Sequence, residues 1–265
     1  MAQSSGTAES SADGGAAFEL VNPDGRCRLV FNCDHAGHAV PRGCDLGLDD
    51  ALMQRHIAWD IGAAEVTRRL AALLDAPAIL TRYSRLVIDC NRQLDDRTLI
   101  PCESDRVTVP GNRAVDEAER ARRIACYFRP YHDALAALLD RCTAEGRLPG
   151  LIAVHSCTPV MDGVARPWHI GILWNRDGRF AAPLLVRLRA QPDLVVGDNE
   201  PYTGRDPAGY SIHVHGAHRG IPHVLLEIRQ DLIDTHHGAE TWARRLAEPL
   251  RSLTEDASRF RVEHR

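Results

Sequence analysis

Apolar residues follow two rhythms along this 265-residue chain. Short, nearly continuous runs at Arg28–Cys33 (RLVFNC), Ala78–Thr81, Leu86–Asp89, Leu151–His155, His169–Leu173, Leu194–Val196 and His223–Ile228 have the length and composition of buried strands. Between them lie stretches with helical spacing. Asp49–Leu74 places Ile57, Ile61, Val66, Leu70 and Leu73 along one helix face, and Val115–Glu145 is one long helical stretch with Pro130 inside it. A last helix is expected from Ala239 to about Phe260. The turn signal Asn22-Pro23-Asp24-Gly25 precedes the first strand, and Leu151–His155 has the unbroken apolar character of a central strand covered on both faces. Strands alternating with helices predict an α/β fold with helices on both faces of one sheet. Residues 18–265 are expected to form a single domain. Residues 1–17, rich in Ser, Gly and Ala, are expected to be a disordered arm.

Composition narrows the chemistry. All 32 basic residues are Arg, so a Schiff-base or phosphate-loop lysine is excluded. The net charge of −4, with Arg scattered along the chain, argues against a nucleic-acid binder. No stretch approaches the roughly 18 apolar residues of a membrane span, and the start lacks the basic and apolar regions of a signal peptide. Eight Cys without a CxxC pair then suggest reduced thiols in a cytoplasmic protein.

Several strand ends carry polar residues that a core would not select. The first run leads into Asp34-His35-Ala36-Gly37-His38 and the central run ends in His155-Ser156. Leu86–Asp89 leads to Asn91-Arg92, and the late strand carries Glu227 followed by Arg229 and Asp231. Ligand-binding residues of open α/β sheets gather past the carboxyl ends of strands. Two His and carboxylates in such places suit a metal hydrolase. A Cys–His amidase built on Cys33 or Cys157, which needs no metal, is the alternative of another class.

Seven blocks, in order, carry a family resemblance: Asp34–Pro41 (DHAGHAVP), His56–Ala63 (HIAWDIGA), Ser84–Arg92 (SRLVIDCNR), His155–Gly163 (HSCTPVMDG), Arg166–Asp177 (RPWHIGILWNRD), Val196–Tyr202 (VGDNEPY) and Glu227–Ile233 (EIRQDLI). Together they resemble the N-formylglutamate amidohydrolase family. That resemblance implies a zinc carboxypeptidase-like, phosphorylase/hydrolase-like fold, a three-layer αβα domain around a mixed, mostly parallel sheet. It implies one catalytic Zn2+ per chain and a small N-acyl amino acid as substrate, N-formyl-L-glutamate first, in a step of histidine breakdown. Another N-acyl amino acid or a small peptide is the alternative substrate. His35 and His155 are the implied metal ligands, with Asp60 as the third and His38, then His56, as its alternatives. Glu227 is the implied general base, taking a proton from water and passing it to the leaving nitrogen. Asn91 and Arg92 resemble the pair that holds a substrate α-carboxylate, for which the planar Arg fork is suited. Arg85, Arg166, Arg229, Tyr202 and His215 complete the expected substrate-binding set.

Overall fold

The computed structural model describes residues 15–205 and 209–264. Seven strands form one sheet: β1 (Phe18–Val21), β2 (Leu29–Cys33), β3 (Ala78–Thr81), β4 (Gly150–Cys157), β5 (Ile170–Leu173), β6 (Val196–Asp198) and β7 (His223–Arg229). Their spatial order is β1-β3-β2-β4-β7-β5-β6. The central β3, β2, β4 and β7 run parallel. β5 is antiparallel to β7, β6 follows β5 in parallel, and β1 closes the other edge antiparallel to β3. The expected α/β architecture with a mixed, mostly parallel sheet is thus present.

Helices α1 (Asp50–Met53), α2 (Ala63–Leu74), α3 (Glu117–Arg123), α4 (Arg129–Ala144), α5 (Gly178–Arg189) and α6 (His236–Glu255) cover both faces. The period-2 alternation of the strands divides the core. Phe31, Cys33, Val154, Leu226 and Ile228 pack under α2, α5 and α6. Val30, Leu151, Ala153 and Leu225 face the other way, toward Tyr127, Phe128, Tyr131 and Leu135 of the α3–α4 arm. Each such large side chain contributes about 1.5–3 kcal/mol by leaving water. On this second face the alternation brings Glu227 and Arg229 to the same side as Leu225.

The structure departs from the sequence-based elements in several places. The expected helix over Asp49–Leu74 is broken. α1 is a single turn, the chain unwinds over 54–62, and α2 starts only at Ala63 after Gly62, whose φ is +80°. Leu86–Asp89 forms turns instead of a strand; Leu86, Val87 and Ile88 are buried, and the Asp89 N–H donates to the Leu99 carbonyl (2.8 Å) rather than to a ladder. The long 115–145 helix contains one π-helical turn, Ile124–Phe128, directly before Pro130 in the first turn of α4, where a proline cannot donate to the preceding turn. The last helix begins earlier, capped by Thr235, whose hydroxyl accepts the Gly238 N–H (3.0 Å), and ends at Glu255. Edge strand β1 was not expected. Of the expected arm, residues 1–14 lie outside the described residues, while Ala17 is buried and its carbonyl accepts the Arg82 N–H (3.0 Å).

Candidate metal centre and active site

Parallel strands β2, β4 and β7 end side by side, and their carboxyl ends build the site. Asp34 and His35 directly follow β2, His155 lies near the end of β4, and Glu227 is its register partner on β7. The unwound segment 54–62 brings the fourth element. Asp60 N–H donates to the His35 carbonyl (2.9 Å), Ser156 Oγ donates to the Ile61 carbonyl (2.8 Å), and Ser84 Oγ donates to the Ala58 carbonyl (2.8 Å). These bonds pin the segment to the ends of β2 and β4 and to the stretch that follows β3. A continuous helix through these residues would not deliver Asp60 there.

His35, Asp60 and His155, all buried, each offer one ligand atom, and the three atoms lie within 4.8 Å of one another. His155 Nδ1 is 2.8 Å and His35 Nδ1 is 3.3 Å from the same oxygen, Asp60 Oδ2. Both rings are held from behind. His155 Nε2 lies 3.2 Å from Asp34 Oδ2, and His35 Nε2 lies 2.7 Å from Asp89 Oδ1. Asp34 is in turn fixed through Oδ1 by the Tyr131 hydroxyl (2.8 Å), Ser211 Oγ (2.6 Å) and Asn32 Nδ2 (3.0 Å). Asp89 is fixed by Arg85, whose Nε and Nη2 donate to Oδ2 at 3.1 and 2.7 Å.

This arrangement fits a divalent cation. Each imidazole stands between two carboxylates, and a neutral ring has only one N–H to give. With that hydrogen on Nε2, donated to Asp34 or Asp89, both Nδ1 lone pairs and Asp60 Oδ2 converge on one place. That is the donor set of a catalytic divalent-metal site with open positions, backed by carboxylates that orient the rings. Without a cation the rings themselves must carry the positive charge. Burial works against a charged His155, yet the hydrogen bonds and charges of Asp34 and Asp60 outweigh it and hold its pKa well above the usual value. For His35, burial and Arg85 oppose the charged form, but Asp89 and Asp60 prevail and its pKa is raised. Asp34 is also pushed up by burial, but the His155 hydrogen bond and charge carry it down to about 2.

Glu227 behaves differently. Its Oε2 is buried without a hydrogen-bond partner among the described residues. Burial, joined by the negative charge of Asp60, raises its pKa to about 7. A carboxylate held ready to take up a proton beside a ligand cluster has the environment of a general base.

The other expected residues divide by what they touch. Arg85 is committed to Asp89 and lies 3.6 Å from Asp60; Arg229 is committed to Asp231 at 2.8 and 3.2 Å. Both are thus paired with carboxylates of the chain itself. Arg92 is half-exposed, with Asp89 only at 3.8 Å. Asn91 Oδ1 accepts the Ser211 N–H (3.3 Å) and so braces the 209–211 segment. Arg166 and Tyr202 pair with each other, Nη2 donating to the phenol oxygen at 3.0 Å. His215 is not brought to the cluster. It is buried on a π-helical turn, stacked on His132 with Nε2 at 3.1 Å from His132 Nδ1. His38 and His56 are also elsewhere. His38 packs on Trp59 and lines a hollow of about 830 Å3 shared with Gly62, Arg68, Arg82 and His236, and His56 lies 3.2 Å from Asp105. Of the three candidates for third ligand, Asp60 is the one in the cluster. Asp34 and Asp89 were missed as carboxylate backing for the His pair, although both stand in the matching blocks. The thiols of Cys33 and Cys157 are buried, and burial pushes Cys157 up to about 12, opposite to what a nucleophilic thiolate needs.

Comparison with known proteins bears on this geometry. A family model described as N-formylglutamate amidohydrolase matches residues 27–234. An N-formylglutamate deformylase of Pseudomonas aeruginosa is 26% identical over 86% of this chain and 90% of its own length. A solved gene product of Agrobacterium tumefaciens shares 33% identity and superposes with a TM-score of 0.86, covering 91% of this chain and 96% of that one. The N-formylglutamate amidohydrolase of Ralstonia eutropha JMP134 shares the fold, with a TM-score of 0.73 at 21% identity over 91% of this chain and 97% of that one.

Proposed function

Since this chain belongs to the N-formylglutamate amidohydrolase family and is a hydrolase of amide C–N bonds, we propose that it is a metal-dependent deformylase converting N-formyl-L-glutamate to formate and L-glutamate. The observation that carries this reading is the convergence of His35 Nδ1, His155 Nδ1 and Asp60 Oδ2, each ring backed by a carboxylate on its other nitrogen. These three residues would hold one divalent ion, zinc by the chemistry of the donors. Such an ion supplies Lewis acidity, polarising the formyl carbonyl and making water a better nucleophile.

The chain's own residues do the rest. Glu227, one strand over from His155 and without a hydrogen bond on Oε2, takes a proton from the attacking water. As the C–N bond breaks it returns that proton to the leaving nitrogen, so that formate and a free amine depart. Arg92, whose guanidinium is barely engaged by Asp89, binds the substrate α-carboxylate with a planar pair of N–H donors. Asn91 keeps the neighbouring 209–211 segment in place.

Formate release from N-formyl-L-glutamate, measured before and after removal of metal by a chelator, tests the proposal. The expected result is turnover that is lost on chelation and restored by zinc. Undiminished turnover by metal-free protein overturns the metal dependence, and no formate from any N-formyl amino acid overturns the activity.

A further inference from the structure

Four guanidinium groups surround the candidate centre, and two are already neutralised. Arg85 is spent on Asp89 and Arg229 on Asp231. Arg92 is one of the remaining two, and Arg166 is the other. Among the described residues Arg166 meets only neutral partners. Nη1 donates to the Thr158 carbonyl and hydroxyl oxygens (3.3 and 3.1 Å), and Nη2 donates to the Tyr202 hydroxyl (3.0 Å). Its guanidinium carbon stands 4.7 Å from the centre of the Tyr202 ring. Neutral partners orient the fork and leave its charge whole. With five N–H donors in the group, Nε–H and one Nη2 hydrogen remain for the two parallel bonds that a carboxylate accepts.

The position of the pair follows from two glycines. Gly171 is the register partner of Glu227, and Gly197 is the register partner of Gly171. Residues paired in this way project from the same face of a sheet. A Cβ at Gly171 would strike the Glu200 carbonyl oxygen, and one at Gly197 would strike the same residue. The segment leading to Tyr202 therefore lies on the Glu227 face, where side chains are absent to make room for it. Arg229 supports the arrangement by donating Nη1 to the Arg166 carbonyl (3.2 Å). Burial and then the nearby Glu227 charge both raise the Tyr202 phenol's pKa, in keeping with that placement.

We infer that Arg166, oriented by Tyr202 and Thr158, reads the side-chain carboxylate of the substrate and makes the site selective for N-acyl dicarboxylic amino acids. The inference rests on the amidohydrolase reading, with Arg92 on the α-carboxylate. Two unspent forks then meet the two carboxylates of the substrate, and a neutral side chain leaves one fork desolvated without a partner.

A substrate-by-variant comparison tests it. Zinc-loaded wild type should prefer N-formyl-L-glutamate over N-formyl-L-glutamine by about 100-fold in kcat/KM. Arg166→Met should lose most of that factor on the glutamate substrate while changing the glutamine substrate little. Arg166→Lys should recover only part of it, because an ammonium lacks the fork. Tyr202→Phe, which keeps the ring and removes the acceptor, should narrow the preference to a smaller extent. If the Arg166 variants do not fold, inhibition of the wild type decides: L-glutamate should compete well and L-glutamine poorly. Equal losses on both substrates, or a wild type that does not discriminate, overturn this assignment and leave the deformylase reading standing. A zinc-loaded wild type that hydrolyses neither substrate overturns that reading and this inference with it.

Discussion

At the scale of single residues, the metal-facing groups are ordinary and their surroundings are not. A His beside a carboxylate is common, but two buried His that share one Asp oxygen and each lean on a further Asp form a specific charge arrangement. The two backing carboxylates differ in kind. Asp89 is countered by the Arg85 guanidinium, whereas Asp34 is held by two hydroxyls and an amide. Removing either charge weakens the donor strength of its ring and loosens its orientation. Asp34→Asn and Asp89→Asn are each expected to weaken metal binding by about 10–100-fold, read by competition with a chelating dye. Unchanged affinity in both would show that the rings need no carboxylate behind them. These roles were not legible in the sequence, because Asp34 and Asp89 reach their rings only when separate loops meet. His35, Asp60, His155 and Glu227 were legible because they stand in recognisable blocks, all but Asp60 at or near strand ends, and the structure brings them together.

At the scale of elements, the sequence was most informative where burial alone decides. β4 and β7 are unbroken apolar runs because helices cover them on both faces, and such runs are visible without a structure. The 49–74 stretch was misleading for a physical reason. Its apolar spacing continues through Ile57 and Ile61, but Ile57 fills the second core from an irregular segment that carries Asp60 inward, and Ile61 is half-buried and lines the hollow beside His38. Gly62 ends that segment with φ at +80°, and a Cβ there would meet the Ile233 carbonyl oxygen. Gly62→Ala thus adds both backbone strain and overpacking next to a candidate ligand. A loss of about 1–3 kcal/mol in stability is expected, together with weaker metal binding; a thermal melt and a metal titration on one sample read both. A variant with wild-type values in both would mean that Asp60 is not placed through Gly62. Leu86–Ile88 shows the converse error, since three buried apolar residues in a row resemble a strand although their backbone runs in turns.

At the scale of the whole molecule, a chain of net charge −4 concentrates buried ionisable groups behind one end of its sheet. No helix among the described residues is long and apolar enough to cross a membrane. The buried His132–His215 pair gives this fold a pH signature separate from the metal centre. Burial lowers His132 from 6.5 to about 4, and burial with the His132 and Arg219 charges lowers His215 from 6.5 to about 3. Unfolding below pH 6.5 lets both rings take up protons that the folded state refuses. Stability is accordingly lost as pH falls from about 6.5 toward 4, by about 3 kcal/mol from His132 alone. The raised pKa of His155 acts with the opposite sign in metal-free protein, stabilising below its unfolded value and fading as pH rises. The readable quantity is therefore the difference between wild type and the double variant His132→Gln, His215→Gln. Urea melts between pH 7.5 and 4 should show a flatter pH dependence in the variant; identical slopes would remove the pair from the balance.

The central claim is that His35, Asp60 and His155 hold a divalent ion while Glu227 works on the proton without binding the ion. Elemental analysis of zinc-dialysed wild type, Asp60→Ala and Glu227→Gln, with formate release measured on the same samples, tests it most directly. About one ion per chain is expected in the wild type and in Glu227→Gln, and little in Asp60→Ala. Turnover of Glu227→Gln should fall by about 10²–10⁴-fold despite its full metal content. Metal retained by Asp60→Ala with normal turnover, or metal lost from Glu227→Gln, would contradict the account.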